Sequence, residues 1–275
     1  MNLSLNFSTC PNDTFMFYAL VHGLISDRYN FNVHMADIEE LNLLALDAKP
    51  DITKISYGVY PMLANQYQLL DSGSALGKGV GPLLISKNPI PLDQIRYKRI
   101  ALPGEHTTAH LLFNKVLPDV QDKRFYLFSQ IEEAILNNEV DAGVIIHESR
   151  FTYQSKGLIK LVDLGDEWEK LSGLPTPLGG IAIRRSIPDD VKHDINRFLK
   201  ESVTYAFKHP ENTMEFVSQH AQELSHDVML SHINLYVNNF SLTLGDLGRK
   251  AIVQLLSGGN KPTMNFDESY IFIYE

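Results

Sequence analysis

The chain reads as an α/β protein built from two domains. Three observations carry this reading. Short apolar runs of strand length alternate with segments of helical periodicity, the pattern of βα units. Asn88-Pro89-Ile90-Pro91 interrupts the alternation, which then restarts. A second proline-marked stretch, Leu174-Pro175-Thr176-Pro177, precedes one more strand and a mostly helical C-terminal part. The expected layout is a larger discontinuous domain, residues 1-87 plus 178-275, and a smaller inserted domain, residues 88-177, with ligand in the cleft between them.

In chain order, Leu3 to Phe7 alternates and is expected to form the first strand. Pro11 breaks it, and Asn12 or Asp13 is placed to cap a helix from about Thr14 to Leu24. Phe31–Ala36 is a second strand. Asp37-Ile38-Glu39-Glu40-Leu41-Asn42 opens a helix, and Asp51–Ser56 forms a third strand on which Lys54 and Ser56 share a face. A helix over Val59–Gln66 and a strand over Gln68–Leu70 follow, and the repetition implies a parallel sheet.

Asp71 to Pro82 is the one glycine-rich stretch. Gly73 and Gly77 are one residue too close for a phosphate loop, and Gly79 stands where Ser or Thr is required, so a flexible substrate-facing connection is expected instead. Leu83–Ser86 is a strand. After the first linker come a strand at Arg99–Leu102, a helix opening at Thr107-Thr108, and a strand at Phe125–Phe128. Ser129 then caps a helix over Gln130–Asn137, ahead of a buried strand at Ala142–Ile146. Leu158–Val162 and Asp166–Leu171 complete the inserted part, and Gly179–Arg184 returns as a strand. Val191, Ile195, Phe198 and Leu199 keep helical spacing, and Pro210 and Asn212 begin another helix. Leu244, Leu247, Ala251, Ile252, Leu255 and Leu256 form an apolar stripe ended by Gly258 and Gly259. The apolar tail Tyr270–Tyr274 is suited to its own domain or to a second copy in a homodimer.

Composition narrows the classes. A net charge of −9 argues against a nucleic-acid or anionic-membrane binder, but leaves room for a small anionic substrate held by local dipoles. The single cysteine, Cys10, excludes an intramolecular disulfide and a multi-cysteine metal site. The N-terminus has no basic segment followed by an apolar one, and no apolar run reaches the ~20 residues of a membrane span. A cytoplasmic location is the expectation.

His147 follows the apolar strand, where ligands bind in open α/β sheets, and histidine is the usual general base. The chain has ten histidines, most of which serve structure. Thr107 and Thr108 sit at a helix start, either as caps or as a seat for a carboxylate or oxyanion. His106 and His110 are four apart but lack an HExxH pattern and a third acidic ligand, so no metal is expected. Cys10 has no neighbouring base in sequence.

Taken together, Ser8-Thr9-Cys10-Pro11-Asn12-Asp13-Thr14-Phe15, Asp37-Ile38-Glu39-Glu40-Leu41-Asn42, Lys54-Ile55-Ser56, Gly73-Ser74-Ala75-Leu76-Gly77 with Gly79 and Gly81-Pro82, Thr107-Thr108-Ala109 and Ile146-His147-Glu148 resemble the 1,4-dihydroxy-6-naphthoate synthase family of the futalosine route to menaquinone. The resemblance implies a periplasmic-binding-protein-like fold (type II) of two α/β domains, used as a cofactor-free carbon–carbon lyase. It implies that cyclic dehypoxanthinyl futalosine becomes 1,4-dihydroxy-6-naphthoate with release of dihydroxyacetone. It places the base at His147 and substrate-binding segments at Lys54-Ile55-Ser56 and Thr107-Thr108. Ser56 and Asn42 would steady a developing oxyanion. A non-catalytic solute-binding protein of the same fold and the sister enzyme chorismate dehydratase are the competing readings.

Overall fold

The computed structural model describes residues 1–221, 224–257 and 267–274. The chain divides into two compact units, Met1–Gly77 with Pro177–Glu275, and Lys78–Thr176. Before the first crossing run β1 (Asn2–Phe7), α1 (Pro11–Val21), β2 (Asn30–Met35), α2 (Ile38–Leu46), β3 (Ile52–Ser56), the one-turn α3 (Tyr60–Leu63), β4 (Tyr67–Leu69) and β5 (Ala75–Gly77). The second unit holds β6 (Leu83–Ser86), β7 (Ile100–Leu102), α4 (Thr108–Val116), β8 (Lys123–Phe125), α5 (Ile131–Leu136), β9 (Ala142–Ile145), the short α6 (Ser149–Thr152), β10 (Ile159–Asp163) and α7 (Leu164–Ser172). The chain returns through β11 (Thr176–Arg184) to α8 (Asp189–Lys208), α9 (Pro210–His220), α10 (His226–Tyr236), α11 (Asn239–Leu242), α12 (Gly245–Leu256) and α13 (Glu268–Ile271).

The first unit is organised on a sheet of order β2-β1-β3-β11-β4, with β5 on β11. β1 runs parallel to β2 and β3, whereas β11 is antiparallel to both β3 and β4. The sheet is therefore mixed, not parallel as the βα repetition implies. β11 arrives from the inserted unit, so no crossover helix within this sheet fixes its direction. Leu3, Leu5 and Phe7 alternate inward from β1 and pack with Ile52, Ile181 and Ile183 of the sheet and with Ile195, Phe198 and Leu199 of α8. Burial of such a side chain is worth roughly 1.5–3 kcal/mol. Phe7 also stacks on Phe17 of α1 at 4.5 Å. The opposite side of α1 presents Phe15 and Met16 to Val203, Val217, Met229 and Ile233. A helix covered on both sides is apolar all round.

The second unit has a sheet of order β10-β6-β9-β7-β8. β7 is parallel to β8 and β9, and β6 is antiparallel to β9 and β10. That pairing of Leu83–Ser86 moves the first crossing to Gly77/Lys78 from the expected 87/88. Asn88–Pro91 consequently lies inside the second unit and leads into a 3₁₀ turn over Leu92–Tyr97. Gly143 lets α5 approach the sheet, since a Cβ there would lie 2.5 Å from Ile131 Cγ2.

Several local expectations need correction. α1 begins at Pro11 behind Cys10, so Asn12 and Asp13 lie inside its first turn and do not cap it. Proline suits that first helical position because it lacks only a donor that the helix leaves unused. β8 covers Lys123–Phe125, fixed by register with β7, and Phe128–Gln130 is a 3₁₀ turn in which Ser129 caps nothing. The segment from Asp71 to Gly77 is buried and pinned, not flexible. Asp71 pairs with Arg249 at 2.6 Å, Ser72 Oγ donates to the Leu242 carbonyl, and Tyr57 Oη lies 2.8 Å from Ser74 Oγ. Leu247 is 49% exposed and leaves the apolar stripe of α12. Gly258 and Gly259 lie outside the described residues. The tail packs on its own unit: Phe272 bridges Leu69 in parallel, and the Ile273 N–H donates to the Leu69 carbonyl.

Candidate functional site

Each unit gathers polar groups at the carboxyl edge of its parallel strands, the ligand edge of open α/β sheets. In the first unit the loops after β1 and β2 and the last residue of β3 supply them. Asp13, in the first turn of α1, is 1% exposed. Its Oδ2 accepts from the Ser8 hydroxyl at 2.7 Å and from the Ser8 N–H at 3.3 Å, and its Oδ1 accepts from Asn12 Nδ2 at 2.8 Å. The ammonium of Lys54 lies 2.8 Å from Asp13 Oδ1, with both side chains almost wholly buried. This contact is an ion pair without the directionality of a hydrogen bond, so among the described residues the Lys54 N–H groups are otherwise unspent.

Ser56 ends β3. Its backbone N–H donates to Asn42 Oδ1 at 2.9 Å, and its hydroxyl accepts from Asn42 Nδ2 at 3.2 Å. The same Nδ2 also donates to Glu39 at 3.2 Å. Both amide hydrogens of Asn42 are thus committed, and its amide holds both the backbone and the hydroxyl of Ser56. The Ser56 hydroxyl keeps its own proton for a further acceptor. Ile55 is fully buried and faces Gly180 across the ladder, where a Cβ would strike Tyr57 Oη at 2.5 Å.

In the second unit, the turn before α4 follows β7 and His147 follows the adjacent parallel strand β9. Thr107 is the N-cap of α4: its hydroxyl accepts from the His110 N–H at 3.2 Å and donates to the Gly104 carbonyl at 2.9 Å. The Thr107 hydroxyl thus serves as a cap, one of the two roles expected of it. Thr108 opens the helix and is buried. His147 lies two residues beyond β9, with φ 56°, the left-handed region that residues bearing a Cβ seldom enter. Its ring meets Phe128 edge to face, centroids 4.8 Å apart. Residues in such conformations gather at functional positions.

Sequence reasoning missed Asp13 and Phe128. For Asp13 a usable signal was present: an acidic residue five positions beyond a serine at the end of the first strand, in the turn that opens a helix. His110 Nδ1 lies 2.8 Å from the Glu105 carbonyl, and its ring packs on Phe125. Among the described residues no helix is long and apolar enough to cross a membrane.

Two α/β units, each with its polar groups at one sheet edge, define a periplasmic-binding-protein-like fold. A Candida albicans protein described as having the generic form of that fold superposes with a TM-score of 0.66 at 13% identity, covering 94% of this chain and 92% of that one. The chain belongs to the menaquinone biosynthesis family, whose profile matches residues 3–261. It is 42% identical to a 1,4-dihydroxy-6-naphthoate synthase of Thermus thermophilus over 255 residues, 93% of each chain. A second protein of that name, from Streptomyces coelicolor, is 40% identical over 260 residues, covering 93% of this chain and 92% of its own.

Proposed function

We propose that the protein is a 1,4-dihydroxy-6-naphthoate synthase. It converts cyclic dehypoxanthinyl futalosine to 1,4-dihydroxy-6-naphthoate and dihydroxyacetone as a carbon–carbon lyase, with His147 as general base. The observation that carries the reading is the placement of His147: a ring held on Phe128 by a left-handed residue beyond a buried strand. In this reading His147 takes a proton from the substrate, and the electron pair released cleaves the carbon–carbon bond. Aromatisation of the new ring supplies driving force that the protein need not provide. No cofactor is required.

Lys54-Ile55-Ser56 binds substrate in this reading. A buried ammonium with unspent donors and a hydroxyl with an uncommitted proton suit an anionic oxygen. Asn42 holds Ser56 in place. Thr107 and Thr108 act through the N-terminus of α4, whose dipole favours a carboxylate.

The test is incubation of the purified protein with cyclic dehypoxanthinyl futalosine, without added metal or cofactor, followed by absorbance and mass detection of the naphthoate. Wild type is expected to form product, and His147→Ala to stay folded with turnover lower by roughly 10²–10⁴-fold. An unaltered kcat in His147→Ala overturns the assignment of the base. Tight binding without product would make the chain a binding protein, and dehydration of chorismate would make it the sister enzyme.

A further inference from the structure

We propose that Arg150 is a positioning residue that fixes the backbone of His147, anchored on the glycine-rich segment around Gly79 and Gly81. The inference rests on the reading of His147 as the base. A residue with a Cβ stays at φ 56° only where its surroundings determine that geometry. Upstream they do: Ile145 is buried and pairs with Leu83 in the sheet. Downstream comes the short α6, whose Ser149 hydroxyl donates to Glu132 at 3.3 Å. The Arg150 N–H donates to the His147 carbonyl at 3.4 Å, and the Phe151 N–H to Glu148 at 2.8 Å.

The guanidinium of Arg150 ties this turn to the rest of the unit. It donates to the Gly81 carbonyl, to the Gly79 carbonyl at 2.8 Å and to Asp163 Oδ2 at 2.8 Å. Asp163 is itself fixed, since its Oδ1 accepts from the Gly165 N–H at 2.9 Å and the Asp166 N–H at 3.2 Å as the cap of α7. Arg150 thus ties the turn after His147 to a strand end, a helix start and a loop.

The loop is built for this. A Cβ at Gly81 would lie 2.3 Å from the backbone of Gly165, so only glycine lets the two segments meet. Gly79 has φ 67°, a conformation that glycine adopts without strain. Its N–H is held by Glu169 at 2.9 Å while its carbonyl faces Arg150. Gly79 and Gly81 of the glycine-rich stretch are thereby accounted for as the seat of an arginine. The fork geometry matters: three acceptors in different directions suit a planar group with five donors, and an ammonium on a flexible stem does not reproduce it.

The test uses Arg150→Lys, which keeps a positive charge beside Asp163, and Arg150→Met, which does not. Histidine labelled with ¹³C at Cα is incorporated throughout, and the His147 signal is assigned by its loss in His147→Ala. Its shift reports the left-handed backbone independently of catalysis. In Arg150→Lys the signal is expected to move toward the values of ordinary residues. kcat should fall roughly tenfold to a hundredfold, as for a misplaced catalytic group, with KM within about twofold of wild type. Arg150→Met should move both readouts further. A folded Arg150→Lys protein with the wild-type His147 signal overturns the proposal, whatever its activity. A displaced signal together with full activity in His147→Ala would leave the clamp standing and remove the base.

Discussion

Removing the carboxylate of Asp13 should be among the most damaging single changes in the first unit. Among the described residues Asp13 is the counter-charge of Lys54, at 2.8 Å, and both side chains are out of solvent. In Asp13→Ala the ammonium stays buried without a counter-ion, which costs about 3–5 kcal/mol. The Ser8 hydroxyl and Asn12 amide also lose their acceptor, at about 1 kcal/mol each before any relaxation. Lys54→Met is milder, because Asp13 still accepts from Ser8 and Asn12. The double variant carries no buried charge and should be more stable than Asp13→Ala alone. The expected coupling between the two positions is about 2 kcal/mol or more, read from urea unfolding followed by far-UV circular dichroism. The single tryptophan, Trp168, lies in the second unit and gives a separate fluorescence signal. A coupling below about 0.5 kcal/mol would refute the view of the pair as a unit. The double variant should remain inactive, because Lys54 is assigned to the substrate.

Other expectations follow from the same geometry. Gly143→Ala pushes a methyl group to 2.5 Å from Ile131 Cγ2 and should lower the thermal midpoint, at a cost of about 1–3 kcal/mol. Asn42→Ala frees Ser56 and should lower kcat/KM by roughly tenfold, the worth of one oriented hydrogen bond, while Ser56→Ala in the same background adds little. Burial pushes Tyr67 up to about 12 and also raises Tyr57 and Tyr60. Unfolded tyrosine releases its proton near 10, so between these values the unfolded chain binds fewer protons. Stability is therefore full below about pH 10 and falls as pH rises toward 12. Absorbance at 295 nm should show these phenols ionising together with the loss of circular dichroism.

The sequence made the strands legible where alternation or a buried run is tied to one face. β1, β3 and β9 fall close to the expected positions for this reason. The direction of β11 was not legible, because a strand's own pattern is the same in parallel and antiparallel ladders. The first crossing was misplaced for a related reason. Leu83–Ser86 reads as a strand in any sheet, and only its partners β9 and β10 assign it to the second unit. At the candidate site, Lys54 and Ser56 could be placed on one face by period alone. The role of Asn42 could not, since it depends on both amide hydrogens being taken. Arg150 had no local signal, because its acceptors are two carbonyls near residue 80 and a carboxylate in another element, Asp163.

The place of β11 between β3 and β4 has a consequence for synthesis on the ribosome. Residues 78–176 are contiguous, so the second unit can close as soon as they emerge. The first sheet cannot. Its strands β2, β1 and β3 are made early, but β4 has no neighbour until Thr176–Arg184 arrives to fill the gap. At about 5–20 residues per second, the intervening unit takes several seconds to be translated. Throughout that interval the backbone edge of β3 waits for β11, and the cluster of Leu5 and Ile52 lacks Ile181, Ile183 and the residues of α8. The nascent chain is most open to chaperones, and to mispairing, in that window, and slowing translation across 78–176 should lengthen it.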